Sequence, residues 1–151
     1  MIFSLVIFVS LIIDQVSKYF IEKNLVYGES IPIIKNIFYF TYIKNKGVAF
    51  GLFSNFKNIL VFFTIITIII IFFYYHSIPK KNHKLQLAFS LIIGGAFGNL
   101  IDRLFLGEVR DFLDFRIWPI FNVADSCICI GVGLLLLNAF IERKLKCSHL
   151  K

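Results

Sequence analysis

The stretch GGAFGNLIDRLFLGEVRDFLDFRIWPIFNVAD, from Gly94 to Asp125, decides how the rest of the chain is interpreted. Apolar runs with the character of membrane helices flank it, and it holds four aspartates: Asp102, Asp111, Asp114 and Asp125. A carboxylate at membrane depth is costly, so such a residue marks a functional site by default. The cluster is therefore the first place to look for chemistry.

The composition places most of the chain in lipid. Hydrophobic residues make up 58% of its 151 residues, more than a soluble domain of this size could bury. The formal charge of +7 arises from 16 Lys and Arg against 9 Asp and Glu. Because these bases lie mostly between apolar runs, we expect anionic membrane lipid as their partner and no nucleic acid.

The apolar runs predict an all-α polytopic membrane protein, a single domain over residues 1–151. Between the first two runs, residues 25–56 carry Gly and Pro among short β-branched and aromatic segments, which predicts a small strand-rich element on the outer membrane surface, with a hairpin turn at Lys35-Asn36. Residues 105–120 are expected to form an outer loop. The four transmembrane helices are predicted at about residues 1–20, 58–77, 85–104 and 121–141.

Four spans put both termini on one side of the membrane. The basic loop with Lys80, Lys81 and Lys84 lies on that side together with the basic tail, so the positive-inside rule predicts that both are cytoplasmic. The polar residues of the spans then collect toward the outer face. All three histidines fall on the opposite side or in the tail.

This segregation restricts the possible mechanisms. A zinc peptidase needs His or Cys ligands, a Ser-His-Asp triad needs a histidine, and neither is available at the outer face. A dyad of Ser126 with Lys18 remains a minor possibility. Two carboxylates are sufficient for hydrolysis, because a close pair shares one proton, and one member can then activate water while the other binds the carbonyl. Asp125 is the better candidate for one member. Asp111 and Asp114 compete about equally for the other.

Five blocks in order resemble a known family: DQVSK (Asp14–Lys18), NKGVAFG (Asn45–Gly51), GGAFGNLIDR (Gly94–Arg103), VRDF (Val109–Phe112) and PIFNVAD (Pro119–Asp125). They are similar to the signature blocks of the bacterial lipoprotein signal peptidase, or signal peptidase II. The resemblance covers the whole chain, although the spacer between Asp111 and Asp125 is shorter than it leads us to expect.

The resemblance implies an aspartic endopeptidase of the bacterial cytoplasmic (inner) membrane that needs no metal or cofactor. Its substrates would be prolipoproteins, cut just before a cysteine that carries a diacylglyceryl group, and globomycin-type cyclic peptides would inhibit it. The catalytic pair would be Asp111 and Asp125. Asp114 would then be a solvated or salt-bridged loop residue.

The resemblance also suggests roles around that pair. Asn45, Gly47, Ala49 and Phe50 would belong to a flap that faces substrate, and Asn99 and Asn122 would contact the site. The remaining polar residues are expected to be structural: Asp102 and Arg103, as a local charge pair that supports the loop and orients the carboxylates, and Asp14 and Lys18, as a buried ion pair. Asp102 is the replacement candidate should the catalytic assignment fail.

A small proton- or ion-coupled transporter is the alternative function, since intramembrane Asp, Lys and Asn on one face would suit it too. A transporter should carry polar residues through the full depth of the membrane. The inner halves of the second and fourth spans have almost none, which counts against it. The default oligomeric state is a monomer.

Overall fold

The computed structural model describes residues 2–47, 56–77 and 82–149. The elements follow one another as α1 (Ile2–Asn24), β1 (Ser30–Ile34), β2 (Phe38–Asn45), α2 (Lys57–His76), α3 (His83–Phe105), β3 (Val109–Asp114) and α4 (Val123–His149). In this part of the chain, four helices are long and apolar enough to cross a membrane. The predicted four-span architecture with a strand element is confirmed. The last helix begins two residues later than predicted and continues into the basic tail.

Helix α3 is the centre of the bundle and contacts the other three helices. Most of its apolar span is buried, whereas the spans of α1, α2 and α4 are mostly exposed. Their outward faces carry large hydrophobic side chains such as Phe8, Phe62, Phe73 and Leu136. Such faces are stable only against lipid, so three helices surround α3 and shield it from the bilayer.

Three glycines of α3 allow this close packing. A Cβ at Gly94 would overlap the Ser10 hydroxyl of α1, and one at Gly98 would overlap the Asp14 carboxylate. A Cβ at Gly95 would overlap the carbonyl oxygen of Ala124 in α4. Small residues at helix crossings let backbones approach closely in lipid. They bring the polar ends of α1, α3 and α4 within contact of one another.

The strands form an antiparallel sheet in the order β1-β2-β3. The predicted turn is present, with Asn36 in the left-handed region (φ 65°) between β1 and β2. Phe112 of β3 and Tyr42 of β2 pack with Ile21 and Leu25 of α1, and this apolar cluster fixes the sheet onto the helical bundle.

The prediction that residues 105–120 form a loop is wrong for Val109–Asp114, which are β3. Both faces of β3 are covered, so its residues are nearly all buried and the usual alternation of polar and apolar residues is missing. The strand also separates Asp111 and Asp114, the two candidates for the same catalytic role. Three residues apart in a strand, they point to opposite faces.

We predict that Gly95→Ala destabilises the bundle by about 1–3 kcal/mol, because the added methyl group meets backbone, which cannot rotate away. The matched control is Gly133→Ala on α4, where an added Cβ meets nothing within 4 Å. Thermal unfolding of the purified protein in detergent micelles measures the difference. Equal unfolding midpoints for the two variants would show that the α3–α4 crossing tolerates extra volume.

Candidate active site

Asp111 lies in the middle of β3, with 2% of its surface exposed. One carboxylate oxygen accepts a hydrogen bond from the Asn45 side-chain amide at 2.9 Å, and the other accepts one from the Asn122 amide at 2.6 Å. Asn45 comes from the neighbouring strand β2, where Ile43 stands opposite Asp111. The sheet therefore supplies both the carboxylate and one of the groups that orient it.

Asp125 occupies the first turn of α4, in a reciprocal cap with Asn122. The Asn122 side-chain oxygen accepts from the backbone N–H of Asp125 at 2.9 Å, and an Asp125 carboxylate oxygen accepts from the backbone N–H of Asn122 at 3.2 Å. This is the arrangement of a capping box, built here from Asn and Asp. The sequence N-V-A-D thus starts the helix and fixes a carboxylate in the same few residues.

Two side-chain amides connect the aspartates. Asn99 donates to Asp125 at 2.7 Å, Asn122 donates to Asp111, and Asn122 also donates to the Asn99 oxygen at 3.0 Å. Lys18 donates to that same Asn99 oxygen at 3.0 Å. Because a lysine ammonium can only donate, it forces Asn99 to present its oxygen to Lys18 and its NH₂ group to Asp125.

Through Lys18, this hydrogen-bonded arrangement is connected to a buried ionic network. Lys18 pairs with Asp14 at 2.8 Å and with Asp102 at 3.4 Å, and none of the three side chains is exposed. The expected ion pair between Asp14 and Lys18 is therefore present. The other Asp14 oxygen accepts from the backbone N–H of Ala124 at 2.8 Å, which satisfies one of the free donors at the start of α4. The network thus connects α1 to both α3 and α4.

Arg110 is the residue of this network that sequence reasoning missed. Its guanidinium binds both Asp102 oxygens, at 2.8 and 3.2 Å, and also bonds Glu22 at 2.8 Å and Gln15 at 3.2 Å. Its backbone N–H donates to Asp102 as well. A usable signal existed in the sequence: Asp14, Lys18 and Glu22 are spaced by four, which puts an acidic-basic-acidic stripe on one face of α1.

The expected local pair between Asp102 and Arg103 is wrong. Asp102 pairs with Lys18 and Arg110 instead, and Arg103 donates to the backbone oxygen of Gly47 at 3.1 Å. Successive residues of a helix diverge by about 100° (3.6 residues per turn), so Arg103 points toward the sheet rim while Asp102 points into the bundle. Ala49 and Phe50 lie outside the described residues.

Of the prediction that Asp114 is a solvated or salt-bridged loop residue, the salt bridge is present, but the loop position is wrong. It is buried at the end of β3, where it accepts from the Thr41 hydroxyl at 2.7 Å and pairs with Arg116 at 3.5 Å. Tyr39 of β2 stands opposite it in the register. Asp114 therefore belongs to the sheet, away from Asp125.

The aspartates share a cavity of about 690 Å³. Its polar wall comprises Asn45, Gly47, Asn99, Arg103, Asp111 and Asp125. An apolar part of the lining comes from Phe115 and residues 117–121, together with Cys129 of α4. In the described part of the chain, no group of three His, Cys, Asp or Glu side chains is arranged to hold a metal ion.

Burial raises the pKa of Asp111 to about 7, and the nearby charge of Asp125 acts in the same direction. The hydrogen bonds from Asn45 and Asn122 oppose this shift, because they favour the ionised form. A carboxyl that keeps its proton close to neutral pH, beside a second carboxyl, is suited to acid–base work.

Comparisons with known proteins identify the family of this chain. Residues 6–141 match the family described as Signal peptidase (SPase) II. The chain belongs to the signal peptidase II family. It is 47% identical to the lipoprotein signal peptidase of Moorella thermoacetica over 133 residues, 88% of this chain and 89% of the relative. The lipoprotein signal peptidase of Desulfitobacterium hafniense is 46% identical over 131 residues, 86% of this chain and 87% of the relative.

A solved bacterial membrane enzyme, determined by the in meso method at 2.3 Å resolution, has the same fold with a TM-score of 0.91. It is 35% identical, and the match covers 95% of this chain and 90% of that one. The chain therefore has the fold of a solved membrane enzyme and is a multi-pass membrane peptidase. None of these comparisons favours the transporter alternative.

We predict that Arg110→Met destabilises the protein by about 3–5 kcal/mol, because it leaves Asp102 buried without its bidentate partner. The control is Lys44→Gln, which removes a partly exposed pair with Glu108 (3.2 Å) and should cost less than about 1 kcal/mol. Denaturant unfolding in micelles compares the two. If Arg110→Met lowers the free energy of unfolding no more than the control does, β3 is held in place without this network.

Proposed function

We propose that the chain is an aspartic endopeptidase that removes signal peptides from bacterial prolipoproteins, cutting before the diacylglyceryl-modified cysteine. The observation that carries the proposal is the pair Asp111 and Asp125, held by side-chain amides in one cavity that also has an apolar wall. Its relatives in Moorella and Desulfitobacterium bear the name lipoprotein signal peptidase, which supports the choice of substrate.

In the proposed reaction the pair holds a single proton. Asp125 carries the negative charge, because it lies in the first turn of α4 where the helix dipole favours an anion. Asp111 holds the proton, in agreement with its raised pKa. Asp111 gives its proton to the scissile carbonyl oxygen while Asp125 takes a proton from water. The water oxygen bonds to the carbonyl carbon at the same time, which leaves a neutral tetrahedral diol.

The second half of the reaction returns the protons. Asp125 gives its proton to the departing nitrogen as the C–N bond breaks, and Asp111 recovers its own as the carbonyl re-forms. The products are the carboxyl terminus of the signal peptide and the free amine of the lipid-modified cysteine. The side chains of Asn45, Asn99 and Asn122 keep both carboxylates oriented throughout, so no metal or other cofactor is required.

The apolar lining formed by Phe115 and residues 117–121 suits a substrate that remains in the membrane. Ile117 is 93% exposed and Trp118 66%, which is the pattern of side chains that meet lipid headgroups and acyl chains. We infer that substrate reaches the carboxylates from the outer leaflet. With the site toward the outer leaflet, the termini and the basic 80–84 loop face the cytoplasm. A separate part of the proposal is that the protein acts as a monomer.

Asp111→Asn and Asp125→Asn should each abolish cleavage of a diacylglyceryl-modified prolipoprotein by the purified protein in detergent, with a loss of at least about 10³-fold. Both substitutions keep the shape of the side chain, so folding should survive. The rate is measured by the appearance of mature lipoprotein, with the unmodified prolipoprotein as a substrate control.

The matched control for these two variants is Asp114→Asn, a buried aspartate of the same strand that bonds Thr41 and Arg116. It should retain activity within about threefold, because Asp114 does not line the cavity and an asparagine still offers a side-chain oxygen to the Thr41 hydroxyl. Full activity in either catalytic variant, or cleavage of neither substrate by the wild type, would refute the proposed function.

The cleavage rate should fall as pH rises through about 7, because the pKa of Asp111 is about 7 and loss of its proton leaves two carboxylates with no acid. Above that pKa the rate should drop by about tenfold per pH unit. The kcat/KM for the modified prolipoprotein across neutral and mildly alkaline pH measures this limb, because kcat/KM reports ionisations of the free enzyme. A rate that increases through this range would exclude Asp111 as the proton donor.

A further inference from the structure

A second cavity, of about 770 Å³, opens beside the catalytic one, and we call it the basic groove. The two cavities share Asn45, Gly47 and the segment 117–120. The groove adds Tyr27, Lys44, Lys46 and Arg116. Asn45 donates a hydrogen bond to Asp111, and Lys44 and Lys46 are the neighbours of Asn45 in the chain. The two lysines of the groove are therefore each one residue away from a group that contacts the carboxylate pair.

The charge of this groove is concentrated on Lys46. Lys44 pairs with Glu108 at 3.2 Å, and Arg116 pairs with Asp114 and lies over the Tyr39 ring. All nine Asp and Glu residues of the chain lie within the described ranges, and none of them forms an ion pair with Lys46 there. Lys46 is exposed, so its ammonium is available to a ligand.

We propose that the basic groove receives the first residues of the mature lipoprotein that follow the lipid-modified cysteine, and that acidic side chains there accelerate cleavage. This inference rests on the proposed function. The signal peptide and the lipid occupy the apolar side, so the remaining chain must leave along the polar rim. The shared walls make the groove a continuous path from the scissile bond, and its unpaired cation complements an acidic segment.

The test uses three diacylglyceryl-cysteine peptides that differ only in two residues just after the cysteine: Asp-Asp, Asn-Asn or Lys-Lys. Their kcat/KM values are measured with the purified protein in nonionic detergent at about 20 mM salt, where charges are weakly screened. Wild type should cleave the acidic peptide about threefold to fivefold faster than the neutral one, and the basic peptide slowest. Salt at about 0.3 M should remove most of this difference.

The charge-swap variant Lys46→Glu should reverse the order of the three peptides, and Lys46→Gln should make their rates equal. The matched control is Lys35→Glu, an exposed residue of the β1–β2 turn that does not line the groove, which should keep the wild-type order. Unfolding midpoints in micelles check that every variant is folded.

Equal kcat/KM for all three peptides in the wild type would overturn the inference while leaving the proposed peptidase intact. The same order in Lys46→Glu as in the wild type would also overturn it, since another surface would then sense the charge. A third result would be that added phosphatidylglycerol raises the cleavage rate of all three peptides equally in the wild type and has no effect in Lys46→Glu. That result would overturn the inference and assign the groove to lipid headgroups. Cleavage of none of the peptides would refute both proposals.

Discussion

A charged side chain within a bilayer is stable only when other groups of the same protein surround it, and this structure is built on that constraint. Asp14, Lys18 and Asp102 are fully buried, and each has at least one partner on another element of the fold. Arg110 brings the sheet into the same network through Asp102 and Glu22. The ionic network therefore connects α1, α3, α4 and β3, and Asn99 links it to the two site aspartates.

The network also determines how the neutral amides are oriented. Asn99 and Asn122 could each present either end of the side chain to a neighbour, since an amide both donates and accepts. Lys18 removes that freedom at Asn99, and the backbone N–H of Asp125 removes it at Asn122. Both NH₂ groups are left to face the carboxylates. The buried Lys18 ammonium thus fixes the Asn99 amide so that its NH₂ group donates to the Asp125 carboxylate.

The sequence alone predicts features that depend on local composition or on whether the number of membrane spans is even or odd. Long uncharged runs such as residues 58–75 predict spans regardless of their neighbours, and an even number of spans places Asp14, Asp102 and Asp125 at one end of the bundle. The turn at Asn36 was readable because it needs a residue that tolerates positive φ.

Features that depend on long-range contacts were not predictable from the sequence. β3 has no alternating pattern because both of its faces are covered, so its sequence predicts a loop. Asp102 has an arginine next to it in sequence, but the helical rotation directs it to Arg110, eight positions further along the chain. Choosing Asp111 over Asp114 required the strand geometry or the family motif, since the two residues are chemically the same.

The residues around the two aspartates come from widely separated parts of the chain: Lys18 near the start, Asn45 in the sheet, Asn99 in the third span, and Asn122 with Asp125 in the fourth. A ribosome delivers these parts to the membrane in that order. During synthesis the nascent chain therefore holds Asp111 without its counterpart until α4 has been inserted. The proposed proteolytic activity therefore depends on the insertion of α4, and a chain that stops before α4 would have only one of the two aspartates.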